Sequence, residues 1–159
     1  MVARAYTVAF QGIDARIVEV QCALSAGMPA FSIVGLPDKA VSEARERVRA
    51  ALGAMAIALP SKRITINLSP ADLPKEGGRF DLAIALGLLA ASGQIPATAL
   101  QDCECIGELA LSGELRPVQG VLPVALACRE AGRRLILPRA NATEAALVEG
   151  VELIAAEHL

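Results

Sequence analysis

The sequence predicts one domain of mixed α/β (α+β) class, and three features lead to this prediction. Of its 159 residues, 54% are hydrophobic, which is enough for one buried core. The first 34 residues alternate polar and apolar side chains as strands do, and later stretches with helical spacing alternate with short apolar runs. No repeat or low-complexity linker interrupts this pattern. Residues 1–159 are therefore expected to form a single domain.

The N-terminal part is predicted to begin a sheet with three antiparallel strands. Polar and apolar residues alternate over 6–10, 17–24 and 31–34, and glycine-containing turns separate these stretches. In the second stretch, Glu19 and Gln21 alternate with apolar residues, as expected for a sheet with one solvent-facing side.

A helix is predicted over 38–55 and a fourth strand over 64–68. Asp38 follows a proline and can cap the free N–H groups of the first turn. The helix is indicated by apolar residues at helical spacing, namely Val41, Ala44, Val48, Ala51, Leu52 and Met55.

The segment 74–82 leads from the fourth strand into the most apolar helical stretch, residues 80–91. Gly77 and Gly78 permit positive φ angles and leave the backbone N–H groups of the helix entrance accessible, so this entrance can attract an anion or hold a nucleophile. The next residue, Arg79, can neither attack a carbonyl nor accept a proton at neutral pH. The segment has the form of a catalytic loop without its nucleophile.

Carboxylates lie on both sides of these glycines and around the following hairpin. Glu76 and Asp81 flank the loop, and Asp81 is expected to interact with the first turn of the helix. Glu108 and Glu114 are expected to be surface or hairpin charges. Lys75 completes the set of polar loop residues.

The C-terminal third is predicted to follow the order β-β-α-β-α-β. The expected elements are strands over 104–109 and 115–118, a helix over 122–131 closed by Gly132, a parallel-type strand over 135–137, a short helix capped by Asn141 and running through Val148, and a strand over 151–154. The last residues, 155–159, are interpreted as a point at which more chain once continued.

The charge distribution excludes a strong general attraction to nucleic acid or anionic lipid. Fifteen basic and seventeen acidic residues give a formal charge of −2. Locally, Arg45 and Arg49 share one face of the predicted helix, and Lys62 and Arg63 can extend it. This group fits either a solvated helix face or a strip that contacts phosphate groups. Aromatic residues make up only 3%, which disfavours binding of single strands by stacked bases.

Neither a membrane segment nor a signal peptide is expected. No apolar run reaches the roughly 18 residues that span a bilayer, and the N-terminus lacks a signal-peptide core. A soluble, cytoplasmic protein is the resulting prediction.

Residue types at the candidate sites limit the possible chemistry. The only histidine is His158, near the end, which argues against a Ser-His-Asp or Cys-His arrangement in a folded core. The chain has no P-loop, so it is not expected to hydrolyse ATP by itself. A working hydrolase would have to use Ser69 or Ser112 with Lys75.

The cysteines are expected to be buried, reduced thiols rather than metal ligands. Cys103 and Cys105 alternate along a predicted strand and in principle supply two soft ligands, but no second pair or histidine accompanies them. Neither a metal site nor a cofactor is predicted for this chain.

Three blocks of sequence together resemble one family. They are IVGLPD (33–38) with SEARERVR (42–49), NLSPADLPKEGGRFDL (67–82) and GELALSGELRPV (107–118). In this order they resemble the N-terminal domain of the ComM/YifB-type, magnesium-chelatase-like AAA+ ATPases. The resemblance covers nearly the whole chain and implies the fold of the Lon proteolytic domain, which is ribosomal protein S5 domain 2-like.

Comparison with the Lon pattern implies that the domain is inert as a peptidase. Lon-type proteases place a serine just after the glycine-containing loop and a lysine just after the hairpin. In this sequence those positions fall on Arg79 and near Leu122. Loss of one such group already reduces the rate by several orders of magnitude.

The resemblance also implies a role in a larger protein. The parent would be a hexameric, ATP- and Mg²⁺-dependent DNA motor, associated with branch migration in natural transformation. This domain would be a non-catalytic accessory to its own AAA+ module and to other copies in the ring. Its net charge implies weak DNA affinity unless several copies act together. A protein-interaction platform at Gly77 and Gly78, without DNA contact, is the remaining alternative.

Overall fold

The longest strands form an N-terminal hairpin, to which the rest of the chain is added. The computed structural model describes residues 2–159. The strands are β1 (Val2–Gln11), β2 (Asp14–Ser25), β3 (Ala30–Val34), β4 (Arg63–Ser69), β5 (Cys103–Cys105), β6 (Glu108–Leu109), β7 (Leu115–Arg116), β8 (Arg134–Pro138) and β9 (Leu153–Ala156). The helices are α1 (Lys39–Ser42), α2 (Ala44–Ala54), α3 (Asp81–Ala91), α4 (Val121–Ala131) and α5 (Ala142–Ala145). This composition confirms the predicted mixed α/β class.

The main sheet has the strand order β1-β2-β4-β3. β2 pairs antiparallel with both β1 and β4, whereas β3 pairs parallel with β4 at the sheet edge. The predicted antiparallel start of three consecutive strands is therefore wrong, because β4 lies between β2 and β3. The connection from β3 to β4 contains α1 and α2, and such a helical crossover is what parallel pairing of two strands requires.

The predicted helix over 38–55 is interrupted at Glu43. The Glu43 carbonyl accepts a hydrogen bond from the Glu46 N–H at 3.0 Å, which is the tighter spacing of a 3₁₀ turn. Asp38 caps α1 as predicted, since its Oδ1 accepts from the Val41 N–H at 2.7 Å. The interruption leaves a short α1 followed by a longer α2.

The second half of the chain forms a parallel sheet of order β5-β8-β9 and the β6–β7 hairpin. The predicted strand over 104–109 is split into β5 and β6 at Gly107. There the chain turns to the entrance of α3, where the Gly107 N–H donates to the Arg79 carbonyl and the Gly107 carbonyl accepts from the Leu82 N–H, each at 3.1 Å.

Asn141 does not cap the following helix, contrary to the prediction. Its side chain instead accepts from the Val118 N–H and donates to the Val118 carbonyl, both at 2.9 Å. The helix that it was expected to start, α5, ends at Ala145 rather than at Val148. Asn141 therefore holds the segment that precedes α4.

The core consists of two groups of buried apolar side chains. One lies among the main sheet, α2 and α3, and the other among α4, α5 and β8. α3 is buried over nearly its whole circumference, as its composition predicts, with Leu86 and Ala91 half-buried. The four cysteines are free and buried, as expected. None of the helices in residues 2–159 is long and apolar enough to cross a bilayer.

Candidate functional site

The loop before α3 is fixed to the start of α1 by backbone contacts. The Asp38 N–H donates to the Lys75 carbonyl at 2.9 Å, and the Lys75 N–H donates to the Leu36 carbonyl at 3.1 Å. Asp38 Oδ2 also accepts from the Gly77 N–H at 3.3 Å, while its Oδ1 caps α1. One carboxylate thus sets both the first turn of α1 and the position of the glycines.

The side chain of Lys75 is fully buried beneath this loop. Its Nζ donates to the Gly35 carbonyl at 2.7 Å and to the Pro70 carbonyl. Burial lowers the pKa of Lys75, and the charge of Asp72 acts in the opposite direction. Because its partners are two carbonyls, this ammonium joins the end of β3 to the loop that follows β4.

The pairing of Lys75 with a serine, which a working hydrolase would need, is not among its contacts. Within residues 2–159, the hydrogen-bond partners of Lys75 Nζ are backbone carbonyls and include neither the Ser69 nor the Ser112 hydroxyl. The Ser112 Oγ accepts instead from the Glu114 N–H in the hairpin turn, at 3.4 Å.

Arg79 lies in the 3₁₀ turn Gly78–Phe80 that leads into α3, and its guanidinium stacks on an aromatic ring. Its Cζ is 4.5 Å from the centroid of the Phe10 ring on β1, a cation–π arrangement. Its buried Nη1 has no hydrogen-bond partner among the described residues. Burial lowers the pKa of Arg79, and the charge of Glu76 partly opposes this.

Arg79 therefore occupies the space between β1 and the beginning of α4. A Cβ atom on Gly120, the residue before α4, would lie 2.8 Å from the Phe10 ring and 3.8 Å from Arg79 Nη1. Gly120 also has a φ of 77°, which disfavours other residues. Because Gly120 has no Cβ and adopts this φ angle, the backbone at this position permits the close approach of Phe10, Arg79 and Gly120.

A depression of about 280 Å³ opens beside Arg79. Residues 77–79, Glu108 and residues 117–119 line it, so it is bounded by the glycine loop and the chain that leaves the β6–β7 hairpin. None of these lining residues carries a hydroxyl, thiol or amine. Glu108 is half-buried against Gly78 rather than a free surface charge, whereas Glu114 is exposed. The lining therefore supplies a cation, a carboxylate and an amide, but no serine-, threonine- or cysteine-type nucleophile of a peptidase.

Leu122 lies in the first turn of α4, close in sequence to this depression. Its side chain is half-buried and packs against the core group of α4 and β8 instead of lining the depression. An aliphatic group in that position cannot accept a proton.

Asp81 has a different partner from the one predicted. Instead of interacting only with the first turn of α3, its carboxylate accepts from Arg47 Nε at 2.6 Å and from Arg47 Nη2 at 3.0 Å, and also from the Leu109 N–H at 3.0 Å. Arg47 Nη2 donates further to the Ala40 carbonyl at 2.6 Å. The pair therefore connects α1, α2, α3 and β6.

Burial and pairing act in opposite directions on this carboxyl. Asp81 is fully buried, and burial raises its pKa, while the hydrogen bonds from Arg47 and Leu109 lower it. The bond to Asp81 raises the pKa of Arg47. Sequence reasoning missed this pair, although Arg47 shares the helix face of Ala44 and Ala51, a buried stripe on which a lone arginine needs a partner.

A second, basic depression lies beside the middle of α2. It measures about 270 Å³ and is lined by residues 29–31, Arg49, residues 59–62 and Ile64. Arg45 stands beside it, because its Nη1 donates to the Phe31 carbonyl at 3.4 Å. The structure thus brings together Arg45, Arg49 and Lys62.

Arg63 does not join this group. It is exposed and precedes the buried Ile64 on β4, and successive side chains of a strand point to opposite faces. Since Ile64 faces the depression, Arg63 lies on the other side of the sheet.

A buried ion pair in the second half also escaped prediction. Glu104 on β5 is 3.5 Å from Arg133 Nε, and the Arg133 guanidinium lies 4.4 Å from the centroid of the Tyr6 ring. Among residues 2–159, no group of three or more His, Cys, Asp or Glu side chains is arranged to hold a metal ion.

The fold and the glycine loop define a Lon-protease-like α/β domain. Lon protease 2 of Bacillus subtilis is 31% identical over 113 residues, which cover 69% of this chain and 20% of that protein. Residues 18–141 match the family model described as subunit ChlI of Mg-chelatase, and the chain belongs to this family.

Two relatives with higher sequence identity confirm the resemblance to the ComM/YifB proteins. Competence protein ComM of Haemophilus influenzae is 53% identical over 143 residues, or 90% of this chain and 28% of that protein. The protein YifB of Escherichia coli is 46% identical over 154 residues, or 97% of this chain and 30% of that protein. The chain thus spans less than a third of the length of these relatives.

Replacement of Arg47 by alanine is expected to lower the free energy of unfolding by about 3–5 kcal/mol near neutral pH, because it leaves the buried Asp81 charge unpaired. Without Arg47 the pKa of Asp81 rises further. Burial raises the pKa of Asp81 already in the wild type. The stability lost by Arg47→Ala should therefore be smallest below that raised pKa, where the carboxyl is protonated in both folded proteins, and increase as the pH rises through it. Urea unfolding across this pH range measures the difference.

The double variant Arg47→Ala/Asp81→Asn is the matched control. It has no carboxyl at position 81, so the loss in its free energy of unfolding, relative to the wild type, should not grow with pH. An equal loss for Arg47→Ala at every pH would show that Asp81 does not depend on Arg47 for its charge.

Replacement of Lys75 by methionine, which is similar in length but donates no hydrogen bond, is expected to destabilise the chain. Two buried carbonyls lose a donor, and each such loss costs about 1–3 kcal/mol. Lys39→Met, at an exposed position of α1, is the control and should change stability by less than about 0.5 kcal/mol. Equal denaturation midpoints for the two variants would contradict the role assigned to Lys75 Nζ.

Proposed function

We propose that this chain is a non-catalytic accessory domain of a ComM/YifB-like AAA+ ATPase, and that it serves assembly or DNA engagement. The observation that carries the proposal is the position of Arg79. By resemblance to Lon this residue stands where a peptidase has its serine, and its guanidinium stacks on Phe10 beside a depression without a nucleophile. A site of this kind retains the outline of a peptidase without its reactive groups.

The two residues that could be considered as the proton acceptor support the same proposal. Leu122, which falls near the Lon lysine position, packs into the core, and Lys75 uses its Nζ to hold two carbonyls. Neither residue is arranged to take a proton from a nucleophile. Peptide hydrolysis is therefore not the function for which these contacts are suited.

The parent protein would supply the ATP-dependent activity. By membership in the family, it would be a cytoplasmic, hexameric, ATP- and Mg²⁺-dependent DNA motor, and a role in natural transformation agrees with the name of the competence protein ComM. Branch migration during transformation is the activity that we propose for it. The partners of this domain would be its own AAA+ module and the neighbouring copies in the ring.

DNA engagement would use the basic side chains near the second depression. Arg45, Arg49 and Lys62 are exposed there, and Arg63 adds a charge on the opposite sheet face. With a net charge of −2, a single domain would bind DNA weakly, and several copies in a ring would add their contacts.

The absence of peptidase activity is tested with a serine-reactive fluorophosphonate. The chain is expected to show no covalent labelling and no cleavage of a fluorogenic peptide, because no serine is activated by a neighbouring base. Labelling that disappears in Ser69→Ala or Ser112→Ala, and also in Lys75→Ala, would overturn the proposal in favour of a working hydrolase.

The DNA role is tested in the full-length parent by fluorescence anisotropy with labelled duplex DNA. Arg45→Ala/Arg49→Ala is expected to weaken binding and to lower the slope of log K against log salt concentration by up to about 2 per domain. Arg4→Ala/Arg16→Ala, which removes the same charge from β1 and β2, is the control and should leave the slope unchanged. If the first variant behaves like this control, DNA engagement by this face of the domain is wrong.

A further inference from the structure

We infer that the depression beside Arg49 and Lys62 is a notch for phosphate groups, which holds the backbone of a polynucleotide and makes no contact that distinguishes its bases. This inference rests on the proposed role in DNA engagement and deepens it, since it assigns the chemical group that is bound. The notch is defined by residues 29–31, Arg49, residues 59–62 and Ile64.

Two cations converge on the notch from different parts of the fold. Arg49 comes from the middle of α2, and Lys62 from the loop that precedes β4, so the space between them is bounded by positive charge on two sides. Ser61 adds a hydroxyl to the same lining, and no carboxylate belongs to it. A guanidinium, an ammonium and a hydroxyl are the donors that proteins commonly direct at phosphate oxygens.

These cations are not neutralised within the domain. The ion pairs of the described residues engage Arg4, Arg47, Arg133 and Arg139, and none of them involves Arg45, Arg49 or Lys62. The chain as a whole has more acidic than basic residues. Three exposed cations without an acidic partner nevertheless produce a positive local potential, which is opposite in sign to the net charge of the chain. That potential favours a polyanion at this place.

Arg45 extends the notch in one direction. Its Nε donates to the Ser42 carbonyl at 3.1 Å and its Nη1 to the Phe31 carbonyl at 3.4 Å. These contacts hold the guanidinium beside the first residues of β3, one helical turn from Arg49. A phosphate chain that leaves the notch on this side meets a third positive charge.

Exposed aromatic, amide and carboxylate side chains, which stack on bases or pair with adenine and cytosine, are missing from the lining. Phe31 is its only aromatic residue and is 8% exposed, so its ring belongs to the core and offers no face on which a base can stack. The remaining side chains are aliphatic, proline, hydroxyl or cationic. The two cations are the side chains of this lining that could also bind a guanine edge, and we assign them to phosphate oxygens. Binding should therefore depend on phosphate number and salt and be independent of base identity.

The test compares two fluorescent ligands of equal phosphate number, an oligothymidylate and an abasic oligomer, in anisotropy titrations of the 159-residue chain at several salt concentrations. The expected dissociation constants agree within about twofold, because the phosphates supply the binding free energy. Arg49→Ala/Lys62→Ala should weaken the binding of both ligands. It should also lower the slope of log K against log salt concentration by about 1.4, the value for two phosphate contacts on a single strand.

The matched control is Arg16→Ala/Arg116→Ala, which removes the same charge from exposed positions outside the notch. It should keep the salt slope of the wild type. Circular dichroism of each variant verifies that the fold is retained. Inorganic phosphate, compared with chloride at the same ionic strength, should displace the oligomers only weakly, since one phosphate makes fewer contacts than a chain.

Three outcomes would overturn the inference, and they are separable from a failure of the proposed function. Tight binding of oligothymidylate without binding of the abasic oligomer would assign the affinity to bases. If the notch variant and its control have the same dissociation constants and salt slopes, the contact lies elsewhere. Both results leave DNA engagement by the parent intact. Displacement by inorganic phosphate at equal phosphate concentration would indicate a small-anion site instead of a polynucleotide site.

Discussion

The buried contact between Arg47 and Asp81 is the constraint on which the candidate site depends. Asp81 is the first residue of α3, and its carboxylate accepts both donors of one guanidinium and the Leu109 N–H. The same arginine holds the Ala40 carbonyl. One ion pair therefore fixes the entrance of the most buried helix relative to α1, α2 and the β6–β7 hairpin. Removal of either partner would leave a charge in the core, which proteins tolerate poorly.

The glycine loop takes its shape from this fixed entrance and from the contacts on its other side. Asp38 holds the Gly77 N–H, and Lys75 ties the Gly35 and Pro70 carbonyls together beneath it. These contacts are structural and involve no reacting group. They explain how a depression with the outline of a peptidase site can persist when its reactive positions carry Arg79 and Leu122, because the backbone that forms it is held by other residues.

Periodicity predicted most elements, but not which of them pair. The spacing of apolar residues located α2, α3, α4 and the strands within a few residues, since local burial sets that pattern. The position of β3 at the sheet edge was missed because pairing depends on the crossover that follows it. The split at Gly107 and the use of Asn141 as a clamp on Val118 depend on residues distant in sequence. The partner of Asp81 was missed for the same reason, although the place of Arg47 on a buried helix face gave a usable signal.

The formal charge of the chain is a poor guide to what its surface attracts. Net charge counts every residue equally, yet ion pairs within the fold already involve Arg4, Arg47, Arg133 and Arg139. Arg45, Arg49 and Lys62 have no such partners, and the lining of the depression beside them contains no carboxylate. At physiological salt, charges are screened beyond about 8 Å, so a ligand at this depression experiences the cations that line it far more than the acidic residues that lie beyond this distance. A domain with a charge of −2 can therefore present a positive site, and the strength of that site depends on spacing rather than on composition.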